Sequence, residues 1–324
     1  MGAAGVRRPA VGLDLGGTKT LALVVGADGA VLGRSLRPTP QTNRNALLAV
    51  LEDAAREAVR EAGMGVRDVA GVGIGVPGVT DAARGILVMP PNLPADCRGL
   101  PVRDLLGERL GAPVHVDNDA NAAALGEHRF GAGRGASDMI YVTLSTGIGG
   151  GVIAAGRLIR GAGHAAGEVG HMVLAHGAPD RCGCGRYGCW EAISSGTALA
   201  RQAREAAAAG RAPRLAAALS AGALDARAVL AAAADGDATA AAIVARAAEF
   251  NGVGLMNLIN LFGPTAIVVG GGLAHAWDRL VAPAAAWAVE HAMGVGAACR
   301  IVPAELGDLA GGMGAAALVT EPAP

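Results

Sequence analysis

The sequence predicts an α/β protein made of two related domains. An apolar strand, a glycine-rich turn and a second apolar strand occur twice, in residues 10–25 and again in residues 139–154. Each copy opens a long segment in which runs of strand length alternate with helical spacing. A polar cluster at residues 117–121 also directly follows a strand, which is where α/β folds collect ligands.

The composition argues against several classes of partner. The chain has 324 residues and a net charge of -1 with both signs mixed, so we expect no surface for polyanions. Residues 1–10 lack the apolar segment of a secretory signal, and no apolar run of about 18 residues resembles a membrane span. We therefore expect a soluble, cytoplasmic protein that binds neither nucleic acid nor membranes.

The first hairpin is a candidate phosphate site. Apolar residues flank the turn Gly16-Gly17-Thr18-Lys19, and backbone amides with a hydroxyl at such a turn can cradle a phosphate. Asp14 brings a carboxylate to the same place. The turn is not a Walker A loop, because Lys19 follows the threonine and the required glycine spacing is missing. An ordinary hairpin turn is the alternative.

Helices and strands then alternate. Helical spacing extends from about residue 45 to residue 62, with Asn43 or Asn45 as the cap and Gly63 at the end. A second, shorter helix is expected over 102–110, before a strand at 113–116.

Two other features of this half constrain the backbone. A buried strand over 69–79 contains Gly73, Gly75 and Gly78, which suggest that something approaches the backbone closely at the end of the strand. The proline-rich loop 90–94 holds Asn92 in one place.

The polar cluster Asp117-Asn118-Asp119-Ala120-Asn121 has two interpretations. Capping of the next helix by Asn118 or Asp119 would explain one polar side chain. Four polar side chains in five positions exceed what a cap requires, so a functional role is favoured.

A cluster of soft ligands predicts a zinc site. Cys182, Cys184 and Cys189 fall within eight positions, and His171 precedes them. Three thiolates and one imidazole suit a tetrahedral zinc ion, and four protein ligands leave no open position for a reacting water, so the site is structural. A disulfide is the alternative, but it would leave one thiol unpaired.

Acidic side chains flank this cluster, and two other cysteines lie far from it. Glu168 and Glu191 bracket the four ligands and could accept hydrogen bonds from a ligand rich in hydroxyl groups. Cys97 and Cys299 are expected to be plain buried thiols.

The second hairpin has the turn Thr146-Gly147-Ile148-Gly149 where the first has its glycines. We expect phosphates to lie between the two hairpins. Gly270-Gly271-Gly272 follows a later strand and suits a flat ring and ribose pressed against the backbone. Small residues from Gly311 onward form a last helix.

Together these motifs resemble the ROK family of sugar kinases and repressors. The motifs are Asp14-Leu-Gly-Gly-Thr-Lys, Asn118-Asp-Ala-Asn, Thr146-Gly-Ile-Gly-Gly-Gly, Glu168-Val-Gly-His and the cysteine segment. The resemblance extends from Val11 to about Leu318 and implies an actin/hexokinase-like (ribonuclease H-like) fold, with sugar and ATP in a cleft between two α/β domains. The expected domains are residues 1–117 joined by a C-terminal helix at 309–324, and residues 118–308.

The resemblance also implies roles for individual residues. Asp119 would be the catalytic base, and Mg²⁺ would lie near Asp14. The sugar contacts would be Asn92, Asn118, Asp119, Glu168, His171 and Glu191. The zinc ligands would be His171, Cys182, Cys184 and Cys189. The ATP-binding residues would be Asp14, Gly16, Gly17, Thr18, Lys19, Thr146, Gly147, Gly271 and Gly272.

The predicted reaction is ATP-dependent phosphorylation of a hexose 6-hydroxyl, with glucose favoured. N-acetylmannosamine, N-acetylglucosamine, fructose or allose remain alternatives, polyphosphate is a possible second donor, and a sugar-sensing regulator is the alternative from another class. An intact Asp119 and the lack of room for a winged helix before Asp14 favour the kinase. The resemblance implies a homodimer or homotetramer.

Three departures from the family pattern leave the identity of the sugar open. Asp117 replaces a common glutamate, His164 replaces a common asparagine, and Asp96-Cys97-Arg98 replaces a more aromatic stretch.

Overall fold

The computed structural model describes residues 8–220, 222, 224–294 and 298–321. The first seven residues of the predicted N-terminal domain and residues 322–324 of the predicted C-terminal helix therefore lie outside the described residues.

The strands are β1 (Ala10–Leu15), β2 (Lys19–Val25), β3 (Val31–Pro38), β4 (Val72–Val76), β5 (Val79–Asp81), β6 (Ile86–Met89), β7 (Val114–Asn118), β8 (Met139–Leu144), β9 (Ile148–Ala154), β10 (Arg157–Ile159), β11 (Ala266–Gly270) and β12 (Arg300–Pro303).

The α-helices follow the predicted alternation. They are α1 (Arg44–Glu61), α2 (Val102–Leu110), α3 (Asp119–Phe130), α4 (Trp190–Ser194), α5 (Gly196–Ala208), α6 (Pro213–Ser220), α7 (Ala226–Ala234), α8 (Ala238–Phe262), α9 (Ala282–His291) and α10 (Ala310–Leu318).

The two five-stranded sheets repeat one plan. Their strand orders are β3-β2-β1-β4-β7 and β10-β9-β8-β11-β12, and β5 and β6 form a separate small sheet. In the first sheet β1 pairs antiparallel with β2 and parallel with β4. In the second, β8 takes the place of β1 and pairs parallel with β11. The repetition predicted from the two hairpins is thus present in the strand order.

Local signals account for the first helices. The side chain of Asn43 accepts a hydrogen bond from the Ala46 amide and caps α1, while Gly63 follows the helix with a φ of 70°. The apolar face of α1 packs against β1, β2 and β3 and contributes to a core that includes Leu13, Leu47, Leu51, Ile74 and Val116, all at most 3% exposed.

The small residues of α10 permit very close packing. A Cβ atom at Gly73 would lie 1.7 Å from the carbonyl oxygen of Ala315, and one at Gly314 would lie 1.6 Å from that of Ala122. Only glycine allows α10 to approach both β4 and α3 at these distances. The predicted close approach at the end of the 69–79 strand is found at Gly78, where a Cβ atom would lie 2.3 Å from Cδ of Pro91, and α10 makes a further close approach at Gly73.

The chain divides into two compact units. The first comprises residues 1–136, 151–167 and 305–324, and the second comprises 137–150 and 168–304. The predicted domain limits stay a prediction. In the second unit, Trp190 is fully buried and its indole donates to Asn251 of α8 at 2.8 Å.

Within the described residues no single helix is long and apolar enough to cross a membrane. Helices α7 and α8, bent by 114°, meet that test as a pair by length and composition only.

Candidate active site

The first hairpin turn is tied back to the end of β3. The Gly16 amide donates to the Lys19 carbonyl at 2.9 Å and closes the turn. The hydroxyl of Thr39 donates to the Gly16 carbonyl at 2.8 Å, and the Thr39 amide donates to the Thr18 carbonyl at 2.9 Å. Gly16, Gly17, Thr18 and Lys19 therefore present one ordered turn, with Thr18 and Lys19 exposed.

Asp14 occupies a desolvated position beside this turn. Its carboxylate faces the first turn of α10, where a Cβ atom at Gly311 would lie 2.7 Å from Oδ2. Burial raises the pKa of Asp14 from 3.8 to about 6, Lys19 opposes the rise and Asp308 adds to it. A carboxylate that ionises near neutral pH, close to a second carboxylate, can accept a hydrated divalent cation.

Asn92 lies against the same turn. A Cβ atom at Gly17 would lie 3.0 Å from the Cβ atom of Asn92, and the backbone of Asn92 is left-handed with a φ of 60°. The side-chain amide of Gln41 donates to the carbonyls of Gly17 at 2.6 Å and of Asn92 at 3.3 Å. The structure thus joins a predicted phosphate residue to a predicted sugar residue through a side chain that the sequence analysis did not identify.

Asn118 fixes the position of Asp119. The Asn118 side-chain oxygen accepts from the amides of Ala120 at 2.8 Å and Asn121 at 3.2 Å, and its side-chain amide donates to the Gly78 carbonyl at 3.1 Å. Asn118 is therefore the cap of α3, as one of the two interpretations expected. Asp119 is the first residue of α3, and its half-buried carboxylate also accepts from the Ala120 amide at 2.8 Å.

The second hairpin turn is held by two residues that follow the cysteine segment. The hydroxyl of Thr197 donates to the Thr146 carbonyl at 2.9 Å. Oε2 of Glu191 accepts from the Ile148 amide at 3.0 Å, and a Cβ atom at Gly147 would lie 2.4 Å from that oxygen. Glu191, predicted as a sugar contact, therefore also stabilises the turn that carries Thr146 and Gly147.

The predicted nucleoside glycines follow β11 and lie beside the end of β8, in the second compact unit. A Cβ atom at Gly271 would lie 2.4 Å from the Leu144 carbonyl oxygen and 2.7 Å from Oγ1 of Thr143. Gly271 has a φ of 87°. A Cβ atom at Gly272 would lie 3.9 Å from Oγ of Ser145. This approach requires glycine at position 271.

The predicted zinc ligands converge. The donor atoms of His171, Cys182, Cys184 and Cys189 all lie within 4.8 Å of one another. The sulfurs of Cys184 and Cys189 are 3.7 Å apart, which is too long for a disulfide and close to the roughly 3.8 Å between two sulfurs on one tetrahedral ion at roughly 2.3 Å.

The surroundings of the thiols also fit a metal. Burial raises the pKa of the Cys182 thiol to about 12. A bound cation is therefore needed to keep this sulfur in its thiolate form. Nδ1 of His171 is 3.5 Å from the Cys182 sulfur, while Nε2 is 3.8 Å from Oε2 of Glu168. One ring nitrogen thus faces the sulfurs, where it could bind the ion, and the other lies near the Glu168 carboxylate but beyond hydrogen-bond distance.

Backbone geometry explains the glycines between the cysteines. Gly185 and Gly188 have φ angles of 87° and 72°, which other residues resist. The Cys182 amide donates to the Arg186 carbonyl at 2.8 Å, so the segment folds into a tight turn around the sulfurs.

Asp180 anchors this turn to the helices of the second unit. Its buried carboxylate accepts from Arg201 of α5 and, at 2.7 Å, from Arg246 of α8. Desolvation acts to raise the pKa of Asp180, but the hydrogen bonds from the two arginines keep the pKa below its usual value. The Asp180 carbonyl also accepts from the Gly188 amide at 2.9 Å.

Comparison with known proteins identifies the relatives of this chain. The ROK family model matches residues 10–322. A glucokinase of Streptomyces coelicolor is 37% identical over 323 residues, covering 97% of this chain and 98% of the relative. The chain belongs to the ROK family.

Solved structures of other ROK proteins share the fold. A ROK hexokinase from Thermus thermophilus matches with a TM-score of 0.81 and 37% identity, over 96% of this chain and 97% of that one. A ROK family glucokinase from Streptomyces griseus, in complex with glucose and AMPPNP, matches with a TM-score of 0.78 and 37% identity, over 96% and 98%. The predicted family and the predicted α/β, actin/hexokinase-like fold of this ROK protein are confirmed.

The predicted residues fall into two groups, one in each unit. Asp14, the first hairpin, Asn92, Asn118 and Asp119 belong to the first unit, and the remaining predicted residues belong to the second. Sequence reasoning missed Thr39, Gln41, Asp180 and Thr197, because no local pattern marks a side chain whose partner is far away along the chain.

Proposed function

We propose that this ROK protein is an ATP-dependent glucose kinase that phosphorylates the 6-hydroxyl with Asp119 as general base. The similarity to a glucokinase whose structure holds glucose and AMPPNP, over nearly the whole of both chains, carries the proposal. The ordered Asn118–Asp119 segment at the start of α3 supports the choice of base.

Asp119 would accept the proton of the attacking hydroxyl group. A carboxylate is a weak base toward an alcohol, so proton transfer occurs late, as the oxygen bonds to the γ-phosphorus and the bond to the leaving phosphate breaks. Alignment of the reactants contributes as much as basicity. The cap of Asn118 supplies that alignment because it fixes the backbone on which Asp119 stands.

The two hairpins would bind the phosphates of ATP. Backbone amides at Gly17 and Gly147 and the hydroxyls of Thr18 and Thr146 would donate to phosphate oxygens, Gly16 would shape the turn through its bond to the Lys19 carbonyl, and Lys19 would add a positive charge. Mg²⁺ bound to the nucleotide would supply neutralisation of the phosphate charge, and Asp14 would hold its water ligands. Gly271 and Gly272 would leave space for the nucleoside.

The sugar would be recognised by paired donors and acceptors. Asn92 and Asn118 offer amides, while Glu168 and Glu191 offer carboxylates and His171 offers a ring nitrogen. A wrong epimer leaves such groups unpaired, at roughly 1–3 kcal/mol each. Zinc would hold His171 and the turn before Glu191 in place and would take no part in the chemical step.

We also propose a cellular context. The composition supports a cytoplasmic location, and the product of the proposed reaction, glucose 6-phosphate, would enter glycolysis. We propose a homodimer or homotetramer on the family resemblance, and light scattering coupled to gel filtration measures it.

The test is a panel of sugars with ATP and Mg²⁺, followed by ADP release. Glucose should have the highest kcat/KM among glucose, N-acetylmannosamine, N-acetylglucosamine, fructose and allose. Asp119→Asn should reduce kcat by roughly 10²–10⁴ while glucose still binds in calorimetry. Asp104→Asn, which changes an exposed aspartate of α2, serves as the matched control. A higher kcat/KM for another sugar would reject glucose as the preferred substrate. Sugar binding by the wild type without ADP release would favour a regulator.

A further inference from the structure

A buried ion pair lies immediately before the proposed catalytic segment. Nε of Arg160 donates to Oδ2 of Asp117 at 2.6 Å, and the two side chains are only 12% and 4% exposed. By contrast, the arginines that contact Asp180 are 32% and 35% exposed. Burying two charges gains little stability over apolar residues of the same volume, so stability alone does not account for this pair.

The second oxygen of Asp117 acts on the segment that carries Asp119. Oδ1 of Asp117 accepts from the Asn118 amide at 2.8 Å and from the side-chain amide of Asn121 at 2.9 Å. One carboxylate therefore contacts the residue before Asp119 and a residue in the first turn of α3. Rotation of the Asp117 carboxylate would disturb both contacts, and Arg160 opposes that rotation.

Arg160 also closes the loop that leads into Glu168. It directly follows β10, and its carbonyl accepts from the Ala166 amide at 3.1 Å. Further along this loop, His164 has a left-handed backbone with a φ of 55°, and its Nε2 lies 3.3 Å from Oδ1 of Asp81. The loop 160–167 is thus held at its first residue by Asp117 and near its middle by Asp81.

We propose that Arg160 is a positioning residue for phosphoryl transfer. Through Asp117 it sets the orientation of the Asn118–Asp119 segment, and through its own backbone it sets the start of the loop that ends before Glu168. The inference deepens the proposed function, because it assumes that Asp119 acts on a sugar hydroxyl. Asp117, two residues before the proposed base, transmits the effect through the Asn118 amide and the Asn121 side chain.

Steady-state kinetics of Arg160→Gln test the chemical consequence. We expect kcat to fall roughly tenfold to a hundredfold, the loss associated with misplacement of a reacting group. The KM for ATP should stay close to wild type, because the side-chain partner of Arg160 is Asp117, which belongs to neither hairpin turn. Arg160→Lys retains a positive donor and should recover most of the loss, and it is the variant of choice if Arg160→Gln does not fold. Arg157→Gln, an exposed arginine of β10, is the matched control and should behave as wild type.

Hydrogen exchange tests the physical link without any substrate. Arg160→Gln should accelerate amide exchange in residues 118–124, and Asp117→Asn should accelerate exchange in residues 160–167, whereas Arg157→Gln should accelerate neither. In the Asp117→Asn, Arg160→Gln double variant the loss of kcat should be smaller than the product of the single losses, because each single change leaves one buried group without its partner.

The outcomes separate the two proposals. If Asp119→Asn is inactive while Arg160→Gln keeps wild-type kcat and exchange, the positioning role is rejected and the kinase assignment stands. If the wild type phosphorylates none of the sugars, the kinase assignment is rejected, and unchanged exchange in Arg160→Gln would then also reject the structural link. A loss that Arg160→Lys does not reduce, with a parallel rise in the KM for ATP, would indicate general destabilisation and overturn the proposal.

Discussion

The two glycine hairpins are held in similar ways by threonines from later elements. Thr39 donates to the Gly16 carbonyl in the first hairpin, and Thr197 donates to the Thr146 carbonyl in the second. In each case the hydroxyl ties a turn carbonyl to a segment outside the hairpin. The turns are therefore ordered by contacts that the hairpin sequences do not contain.

The carboxylate beside each turn has a different origin. Asp14 belongs to β1 itself, so the first hairpin carries its own acidic group. Glu191 belongs to α4 and follows Cys189 by two residues, so the carboxylate on the second hairpin depends on the cysteine segment. Oε1 of Glu191 also accepts from the Cys182 sulfur at 3.7 Å. The carboxylate beside the first turn is thus local to its hairpin, whereas the one beside the second turn comes from the helix that follows the metal-binding turn.

Loss of the metal should give the largest difference between the hairpins. Cys184→Ser should lose zinc, and because structural zinc contributes about 10–16 kcal/mol apparent in small peptides, the second unit should lose much of its stability. Metal analysis and thermal unfolding measure this. Hydrogen exchange should accelerate at residues 146–148 and change little at residues 16–19.

The control for this change is a lone buried thiol. Cys97→Ala should retain zinc, because Cys97 lies in the apolar core of the first unit. A zinc-free Cys184→Ser protein with wild-type activity would show that the second hairpin does not depend on the metal.

Alanine at the turn glycines should affect function unequally. Gly147→Ala places a Cβ atom 2.4 Å from Oε2 of Glu191, and Gly17→Ala places one 3.0 Å from Cβ of Asn92. The flexible Glu191 carboxylate can move away with little cost in stability, but it then gives up its hydrogen bond to Ile148.

We expect Gly147→Ala to lower kcat/KM for glucose roughly tenfold or more, as expected for loss of one hydrogen bond to a charged group at roughly 1.5–3 kcal/mol. Gly17→Ala should have a smaller effect. Steady-state kinetics and melting temperatures of both variants measure these effects. A larger loss of kcat/KM in Gly17→Ala than in Gly147→Ala would contradict the proposed difference between the hairpins.

Asp14 should make the first hairpin sensitive to pH. Because burial raises the pKa of Asp14 from 3.8 to about 6, the folded protein binds the proton more tightly than the unfolded chain. The free energy of unfolding should therefore fall as pH rises from about 4 to about 6. Asp14→Asn should remove this fall and be more stable than wild type at pH 7.5.

The same change should weaken binding of ATP with Mg²⁺, because an amide does not carry the charge that holds the cation's water ligands. Wild-type affinity for this complex should likewise decrease below about pH 6, where Asp14 is protonated. Denaturant titrations and calorimetry across pH measure both effects. If the unfolding free energies of wild type and Asp14→Asn changed with pH in the same way, a raised pKa of Asp14 would be refuted.

The threonine contacts should give the smallest effects. Thr39→Val removes the bond to Gly16 and leaves the buried Thr20 hydroxyl, 2.9 Å from Oγ1 of Thr39, without that partner. We expect a cost of roughly 1–3 kcal/mol in unfolding free energy. Thr197→Val removes one exposed bond and should cost less than about 1 kcal/mol. Thr42→Val, at an exposed position, is the control, and equal costs for Thr39→Val and Thr197→Val would argue against a role for burial.

Local patterns predicted the main elements closely. The helix expected over 102–110 is α2, and the helix expected from about 45 to 62 is α1, Arg44–Glu61. Asn43 and Asn118 act as caps, and the four zinc-ligand candidates converge. The helical period, a cap or a run of cysteines is written in neighbouring residues, so these features are accessible without coordinates.

The contacts that orient the site were not predictable in the same way. Asp117 was notable as a member of the polar cluster and as a departure from the family pattern, but nothing near Arg160 indicates that the two side chains meet. Gln41 likewise gave no signal of its contact with Asn92. A hydrogen bond between distant segments requires only that its partners meet in space, so it imposes no spacing on the sequence.

The sequence by itself determined the α/β class, the repeated hairpins, the capped helices and the thiol–imidazole set, because each of these depends on residues close together along the chain. Only the tertiary structure decided which distant side chain completes each feature: Arg160 opposite Asp117 across 43 positions, and Thr197 on Thr146 across 51. Burial, which raises the pKa of Asp14 and leaves the Asp117 and Arg160 side chains little exposed, likewise exists only once the chain has packed.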